Sequence, residues 1–140
     1  MHPRAEERHG AVRNWMTREP ITVPEDCPVG SALAQMQRRE IRHLLVVDGD
    51  RLSGIVSNRD VSRLALDHPG SRLLSGPISS IMTEDPVTVA PETAVTVAAR
   101  LLLELRIGAL PVRDGDEIVG IFTTADALEA LLAMVENPGA

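Results

Sequence analysis

The sequence predicts an α/β (α+β) fold made of two β-α-β-β-α repeats packed about a pseudo-twofold axis. Three observations predict it. A block that begins at Val12 returns at Ile78 in one unbroken register. Within each block, β-prone runs alternate with helical periodicity. Each block also ends on the same junction: Gly54-Ile55-Val56-Ser57-Asn58-Arg59-Asp60 and, 66 residues later, Gly120-Ile121-Phe122-Thr123-Thr124-Ala125-Asp126.

The register holds without a gap from Val12 to Asp60 and from Ile78 to Asp126. Its identities include Met16/Met82, Thr17/Thr83, Pro20/Pro86, Thr22/Thr88, Val23/Val89, Ala32/Ala98, Leu44/Leu110 and Val46/Val112. Two copies are too few for a stacked array, so the pattern is a duplication. Residues 1–11 form a flexible N-terminal segment, 12–66 the first repeat, 67–77 a linker, 78–135 the second repeat and 136–140 a C-terminal tail.

The elements of each repeat follow in order. Ile21–Val23 and Val87–Val89 are short β-prone runs after a proline. In the first copy a helix follows with Pro28 at its first position and Val29, Ala32, Leu33 and Met36 on one face. In the second copy Thr93 is placed as the N-cap, ahead of Val95, Ala98, Ala99, Leu102 and Leu105. Leu44–Val47 and Leu110–Val112 are strands. Asp48-Gly49-Asp50 and Asp114-Gly115-Asp116 supply hairpin turns. Leu52–Val56 and Ile118–Phe122 are the return strands. The last helices run from about Asn58 to Leu66 and from about Thr124 to Val135. A three-stranded sheet with two helices on one face leaves its other face open, so two units can bury those faces on one another.

Composition narrows the function. The chain has 140 residues, 44% hydrophobic and 24% charged, enough for a sizeable core. No apolar run approaches the ~18 residues of a membrane helix, and residues 1–10 hold no apolar signal core. The lone Cys27 forms no internal disulfide, which suits a reducing cytoplasm. Net charge is −6, against broad nucleic-acid binding. All 14 basic residues are arginine, which removes Schiff-base chemistry and a P-loop lysine. The only aromatics are Trp15 and Phe122, too few to stack successive bases of a single strand. One cysteine and scattered histidines give no metal-ligand spacing. There is no Gly-x-Ser-x-Gly elbow. A helix start after Cys27 could lower its pKa, but no histidine is placed by sequence to activate it. No enzyme is expected.

The two junctions carry the chemistry. Ser57-x-x-Asp60 and Thr123-x-x-Asp126 fit a helix capping box, hydroxyl to the N3 amide and acid back to the N-cap amide. They also fit a strand-to-helix site for a phosphorylated ligand. Both readings stay open. His43 on its own reads as a surface or satisfied histidine; its place beside Arg42, just before a strand, leaves a ligand contact equally open. Met16, Met82 and Trp15 are packing residues, and Arg38-Arg39-Glu40 is a solvated helix end.

The Met-Thr…Pro-x-Thr-Val openings, the Asp-Gly turns and the Gly-h-h-Ser/Thr-x-x-Asp endings together resemble a tandem pair of CBS (cystathionine β-synthase) domains. The likeness spans roughly residues 12–135. Val12–Thr17 and Ile41–Leu44 resemble small stand-alone bacterial CBS proteins, including the acetoin-utilisation type.

That resemblance implies a regulatory, ligand-sensing module. It would bind adenosine-containing ligands (AMP, ADP, ATP or an S-adenosylmethionine-like molecule) in clefts between the repeats, with no cofactor required. One cleft would use Ser57 and Asp60 with Thr88, Val89, Gly108, Ala109 and Leu110. The other would use Thr123 and Asp126 with Thr22, Val23, Arg42, His43 and Leu44. In each, the aspartate would hold ribose hydroxyls and the Ser or Thr would lie near the phosphates. The Asp126 side, with Arg42 and His43, is expected to take phosphate first, with Arg13 and Arg59 as further contacts. The family also implies homodimers, often two pairs in a flat disc. The alternative is a ligand-free dimerisation scaffold that acts through an unidentified protein partner.

Overall fold

A computed structural model describes residues 10–68 and 72–137. In chain order these form β1 (Thr17–Arg18), β2 (Thr22–Pro24), α1 (Val29–Arg38), β3 (His43–Asp48), β4 (Arg51–Ser57), α2 (Asn58–Asp67), β5 (Thr83–Glu84), α3 (Val95–Leu105), β6 (Ala109–Asp114), β7 (Glu117–Thr123) and α4 (Thr124–Glu136). Short 3-10 turns stand at Val12–Asn14, Leu73–Ser75 and Ile78–Ser80. The predicted mixed α+β class holds, with four helices and two sheets among the described residues.

The periodicities bury what they should. Helix α1 buries Val29, Ala32 and Met36, and α3 buries Val95, Ala98 and Leu102 at the same three positions. Strands β3 and β4 join through Gly49-Asp50, and β6 and β7 through Gly115-Asp116. Both glycines have φ +62, the left-handed first turn position that glycine fills without strain.

The chain divides into two compact units, and they are not the two sequence repeats. A central unit is Pro20–Pro86; a terminal unit joins the residues up to 19 with those from 87 onward. The central unit holds a sheet in the order β2-β3-β4-β5 over a core of Val23, Val29, Met36, Leu44, Val56, Val61 and Ile78. The terminal unit holds β1-β7-β6 over Val12, Leu102, Leu110, Val112, Phe122 and Ala130.

The repeats have exchanged their opening segments. Strand β1, from the first opening, pairs antiparallel with β7 (Thr17↔Ile121, Arg18↔Gly120). Strand β5, from the second, pairs with β4 (Gly54↔Glu84, Ile55↔Thr83). These strands are two residues long, too short for a period-2 signal. The exchange explains two glycines and two methionines of the repeat. A Cβ on Gly120 would stand 2.6 Å from Met16 Sδ and 2.8 Å from the Thr17 carbonyl. One on Gly54 would stand 2.6 Å from the Thr83 carbonyl and 2.7 Å from Met82 Sδ. Each opening segment needs bare backbone beneath it.

Four expectations change. The run Val87–Val89 is not a full strand. Val23 and its neighbours pair with β3 over three residues, but Val89 makes a single parallel bridge to Val112. The first ladder includes the Leu45 N–H donating to the Ile21 carbonyl at 3.3 Å. The matching residue in β6 is Pro111, which has no N–H to give.

The helix starts differ as well. Pro28 and Ala94 are the N-caps, one residue away from the expected roles of Pro28 and Thr93. Docked main chain supplies the acceptors instead. The Val29 N–H donates to the Gly76 carbonyl at 2.9 Å, and the Val95 N–H to Gly10 at 2.6 Å. Thr93 Oγ1 accepts from the Ala90 N–H at 2.9 Å and closes the preceding turn.

Hence the described part of the linker is not loose: Pro77 bridges Pro28, and the Ile78 N–H donates to the Cys27 carbonyl at 2.7 Å. Ala11 likewise bridges Ala94, so the lead-in is docked from Gly10. Residues 1–9, with His2 and His9, the linker residues 69–71 and the tail residues 138–140 lie outside the described residues.

Candidate functional site

Because β2 and β3 run parallel and β4 returns antiparallel, the starts of β2 and β3 and the end of β4 share one end of the central sheet. Thr22, Val23, Arg42, His43, Leu44, Ser57 and Asp60 belong to that end. In the terminal unit Thr88, Val89, Gly108, Ala109, Leu110, Thr123 and Asp126 form the equivalent set. The register therefore sorts the candidates by unit.

The family resemblance allots Arg42 and His43 to a cleft shared with Asp126 of the other repeat. Within their own sheet they neighbour the junction ending in Asp60. His43 is the direct strand partner of Ser57, and the Asn58 N–H donates to the Arg42 carbonyl at 2.8 Å. The corresponding neighbours of Thr123 are Gly108 and Ala109: Ala109 pairs with Thr123, and the Thr124 N–H donates to Gly108 at 3.1 Å. Antiparallel pairing inside one repeat sets these in-sheet neighbours.

At the central junction Ser57 is the N-cap of α2, and its Oγ accepts from the Asp60 N–H at 3.0 Å. The reciprocal bond is not made. Among the described residues no group donates to the Asp60 carboxylate, which is exposed, as are Arg42 and Arg59. His43 is half-buried. Burial pushes its imidazole below the usual range; the Asp60 charge opposes this and Arg42 adds to it. His43, opposite the Ser57 cap, thus feels both the Asp60 and the Arg42 charge at the start of a helix, where the dipole favours anions.

At the terminal junction the capping box is closed. Thr123 Oγ1 accepts from the Asp126 N–H at 3.3 Å, and Asp126 Oδ2 accepts from the Thr123 N–H at 2.8 Å. Asp126 is the one buried charged residue among those described. Burial pushes its carboxyl above the usual range, the Thr123 backbone and side chain pull it down, and Glu129 raises it. The Glu or Gln a capping box prefers is replaced by Asp, and the box still closes. With Gly108 and Ala109 on the paired strand, no side chain there offers Asp126 another donor.

The remaining candidates are placed as follows. Thr22 is exposed and Val23 and Leu44 are buried in the sheet. Thr88 Oγ1 accepts from Arg113 Nε at 3.3 Å. Arg113 was missed by sequence reasoning, although its place two residues after Pro111, on the strand Val89 bridges, was a usable signal. Arg13 is exposed in the Val12–Asn14 turn, its N–H donating to the Pro91 carbonyl at 2.9 Å. Burial and then the Asp26 charge push the Cys27 thiol up, the reverse of activation. Two open hollows lie along α1 (Ser31, Gln35, Arg38) and α3 (Val97, Arg100, Glu104), and neither includes a residue of the two junctions. Among the described residues no cluster of His, Cys, Asp and Glu could hold a metal ion, and no helix is long and apolar enough to cross a membrane.

Known proteins share this architecture. A CBS domain protein of Dictyostelium discoideum is 33% identical over 136 residues, 89% of this chain and 93% of that protein. The solved structure of AcuB, assigned to acetoin utilization in Vibrio cholerae, superposes with a TM-score of 0.77 at 33% identity, over 90% of this chain and 93% of that one. The structure of CBSX2 in complex with AMP gives a TM-score of 0.78 at 29% identity, over 89% and 98%. The family model described as CBS domain matches twice, at residues 12–67 and 78–133. The chain therefore belongs to the CBS domain family, and it carries two CBS domains in tandem.

Proposed function

We propose that this chain is a regulatory module that binds an adenosine-containing ligand, and that the Asp60 junction takes it first. The observation that carries this reading is the exposed Asp60 carboxylate, which takes no cap bond and acts on His43, itself the strand partner of Ser57 and next in the chain to Arg42. Asp60 accepts the ribose hydroxyls. Arg42, His43 and the first N–H groups of α2 meet the phosphate. Thr22 and Val23 approach the base. The relative CBSX2, solved with AMP, supports the ligand class.

The terminal set, Thr88, Val89, Gly108, Ala109, Leu110, Thr123 and Asp126, is the weaker position. Asp126 is buried with one carboxylate oxygen engaged in its own cap, and giving up that amide hydrogen bond would cost about 1 kcal/mol. The module is not an enzyme. It works as a homodimer in the cytoplasm and passes ligand binding on to a protein partner.

Thermal melts of the whole chain with AMP, ADP, ATP, NAD and S-adenosylmethionine test the reading. A ligand at 100 times its dissociation constant adds about 2.7 kcal/mol of stability. If none of them shifts the transition at millimolar concentration, the ligand reading fails and the ligand-free scaffold takes its place.

A further inference from the structure

One titratable side chain separates the two junctions. Where the first repeat has His43, the second has Ala109, which is buried. His43 and Ser57 are direct partners in the antiparallel pair of β3 and β4. Direct partners project their side chains from the same face of a sheet, so the imidazole shares a face with the Ser57 hydroxyl. That hydroxyl accepts from the Asp60 N–H at 3.0 Å and opens α2. The imidazole is therefore on the face that meets the helix start, the place to which the phosphate was assigned above. It is half-buried there, where salt and water screen a neighbouring charge less than at the open surface.

The charges around His43 come from few elements. Strand β2 carries none, β4 has only Arg51 at its far end, and α1 only Arg38 in its last turn. Helix α2 carries Arg59, Asp60, Arg63 and Asp67. Among the described residues, Asp60 and the adjoining Arg42 are the two whose charges act on the imidazole. Asp60 favours a proton; burial and Arg42 oppose it and prevail, so the imidazole is neutral at pH 7 in the unliganded chain. A phosphate at the start of α2 adds negative charge to the side of Asp60. An opposite charge within about 4–6 Å favours the charged form by about one pH unit or more, enough to reverse that balance in mild acid.

We infer that His43 couples ligand binding at this junction to proton uptake: the imidazole takes a proton from solvent as the phosphate arrives, so the chain holds a phosphorylated adenosine ligand more tightly as pH falls. This rests on the phosphate position proposed above and gives that site acidity as a second input. The terminal junction, with Ala109 opposite Thr123, has no imidazole to supply it.

Proton NMR of the whole chain tests this by following the His43 Cε1–H from about pH 5 to about pH 8. Saturating AMP raises the His43 titration midpoint by about one pH unit; adenosine, which lacks the phosphate, leaves it in place. Calorimetry supplies a second arm. From about pH 7.5 to about pH 5.5 the wild type gains at least about threefold more affinity for AMP than His43→Gln does, the variant accounting for the proton that a phosphate monoester itself takes near pH 6. AMP that binds at no pH overturns the proposed ligand site and this coupling together. AMP that binds while the His43 midpoint stays or falls, or adenosine that raises it equally, overturns the coupling alone. So does a pH dependence of AMP affinity that His43→Gln keeps in full.

Discussion

At Ser57 and at Thr123 the same turn from strand to helix is finished in two ways. Both hydroxyls cap the amide three residues on. At Thr123 the acid folds back to complete the cap and is buried; at Ser57 the acid stays out in solvent, near enough for its charge to act on His43. The residue opposite on the paired strand differs too, Ala109 in one case and His43 in the other. Duplication made two equal junctions. Divergence has left one acid folded into its cap and the other exposed to solvent.

Where the junctions remain alike, they should break alike. Gly54→Ala and Gly120→Ala each drive a methyl group into the opening segment that crosses them, so each costs about 2–3 kcal/mol in urea denaturation. Equal losses support the exchange of β1 and β5. A tolerated Gly120→Ala would contradict it.

The next effect separates the two. Arg42→Ala weakens AMP binding about tenfold by calorimetry, since a hydrogen bond to a charged group is worth about 1.5 kcal/mol or more. Binding unchanged by this substitution would remove Arg42 from the phosphate contacts.

Smaller still is the cap itself. Asp126→Ala loses about 1 kcal/mol of stability, while Asp126→Asn keeps an acceptor for the Thr123 N–H and sheds a buried charge. Its carboxyl is raised above the usual value of 3.8, so ionised Asp126 costs stability as pH rises through its folded pKa. Asp126→Asn should therefore equal or exceed the wild type at pH 7. A melting temperature below that of Asp126→Ala would show that the charge is needed.

The slightest effect belongs to His43. Its folded pKa lies below the usual 6.5, so the unfolded chain holds the extra proton and this stability is present above that pH. It is lost as pH falls from 6.5 through the lowered folded value. His43→Gln should remove that part of the acid loss, seen as a flatter melting temperature between pH 7 and pH 5. An unaltered slope would mean that other groups cause it.

Much of this architecture was legible in the residues. The gapless register gave the duplication, apolar spacing gave α1 and α3, and Asp-Gly gave both hairpins. What escaped was non-local. No local pattern says that Thr17 will lie on Ile121 rather than on Ile55, because both partners have the same sequence context. For the same reason no local pattern gives His43 its strand partner; only the pairing of β3 with β4 sets it opposite Ser57. Pro111 was readable in principle: a proline opposite Val89 predicts a thinned ladder. The open and closed caps were not. Ser-x-x-Asp and Thr-x-x-Asp are equivalent on paper, and their difference depends on which side chains the neighbouring strand presents.

The most direct measurement is a pair of AMP titrations by isothermal calorimetry, on Asp60→Ala and on Asp126→Ala. The account predicts that Asp60→Ala loses at least about tenfold in affinity at wild-type stability, while Asp126→Ala loses stability and keeps the wild-type dissociation constant for the tighter site. The opposite pattern, affinity lost at Asp126 and retained at Asp60, would contradict it.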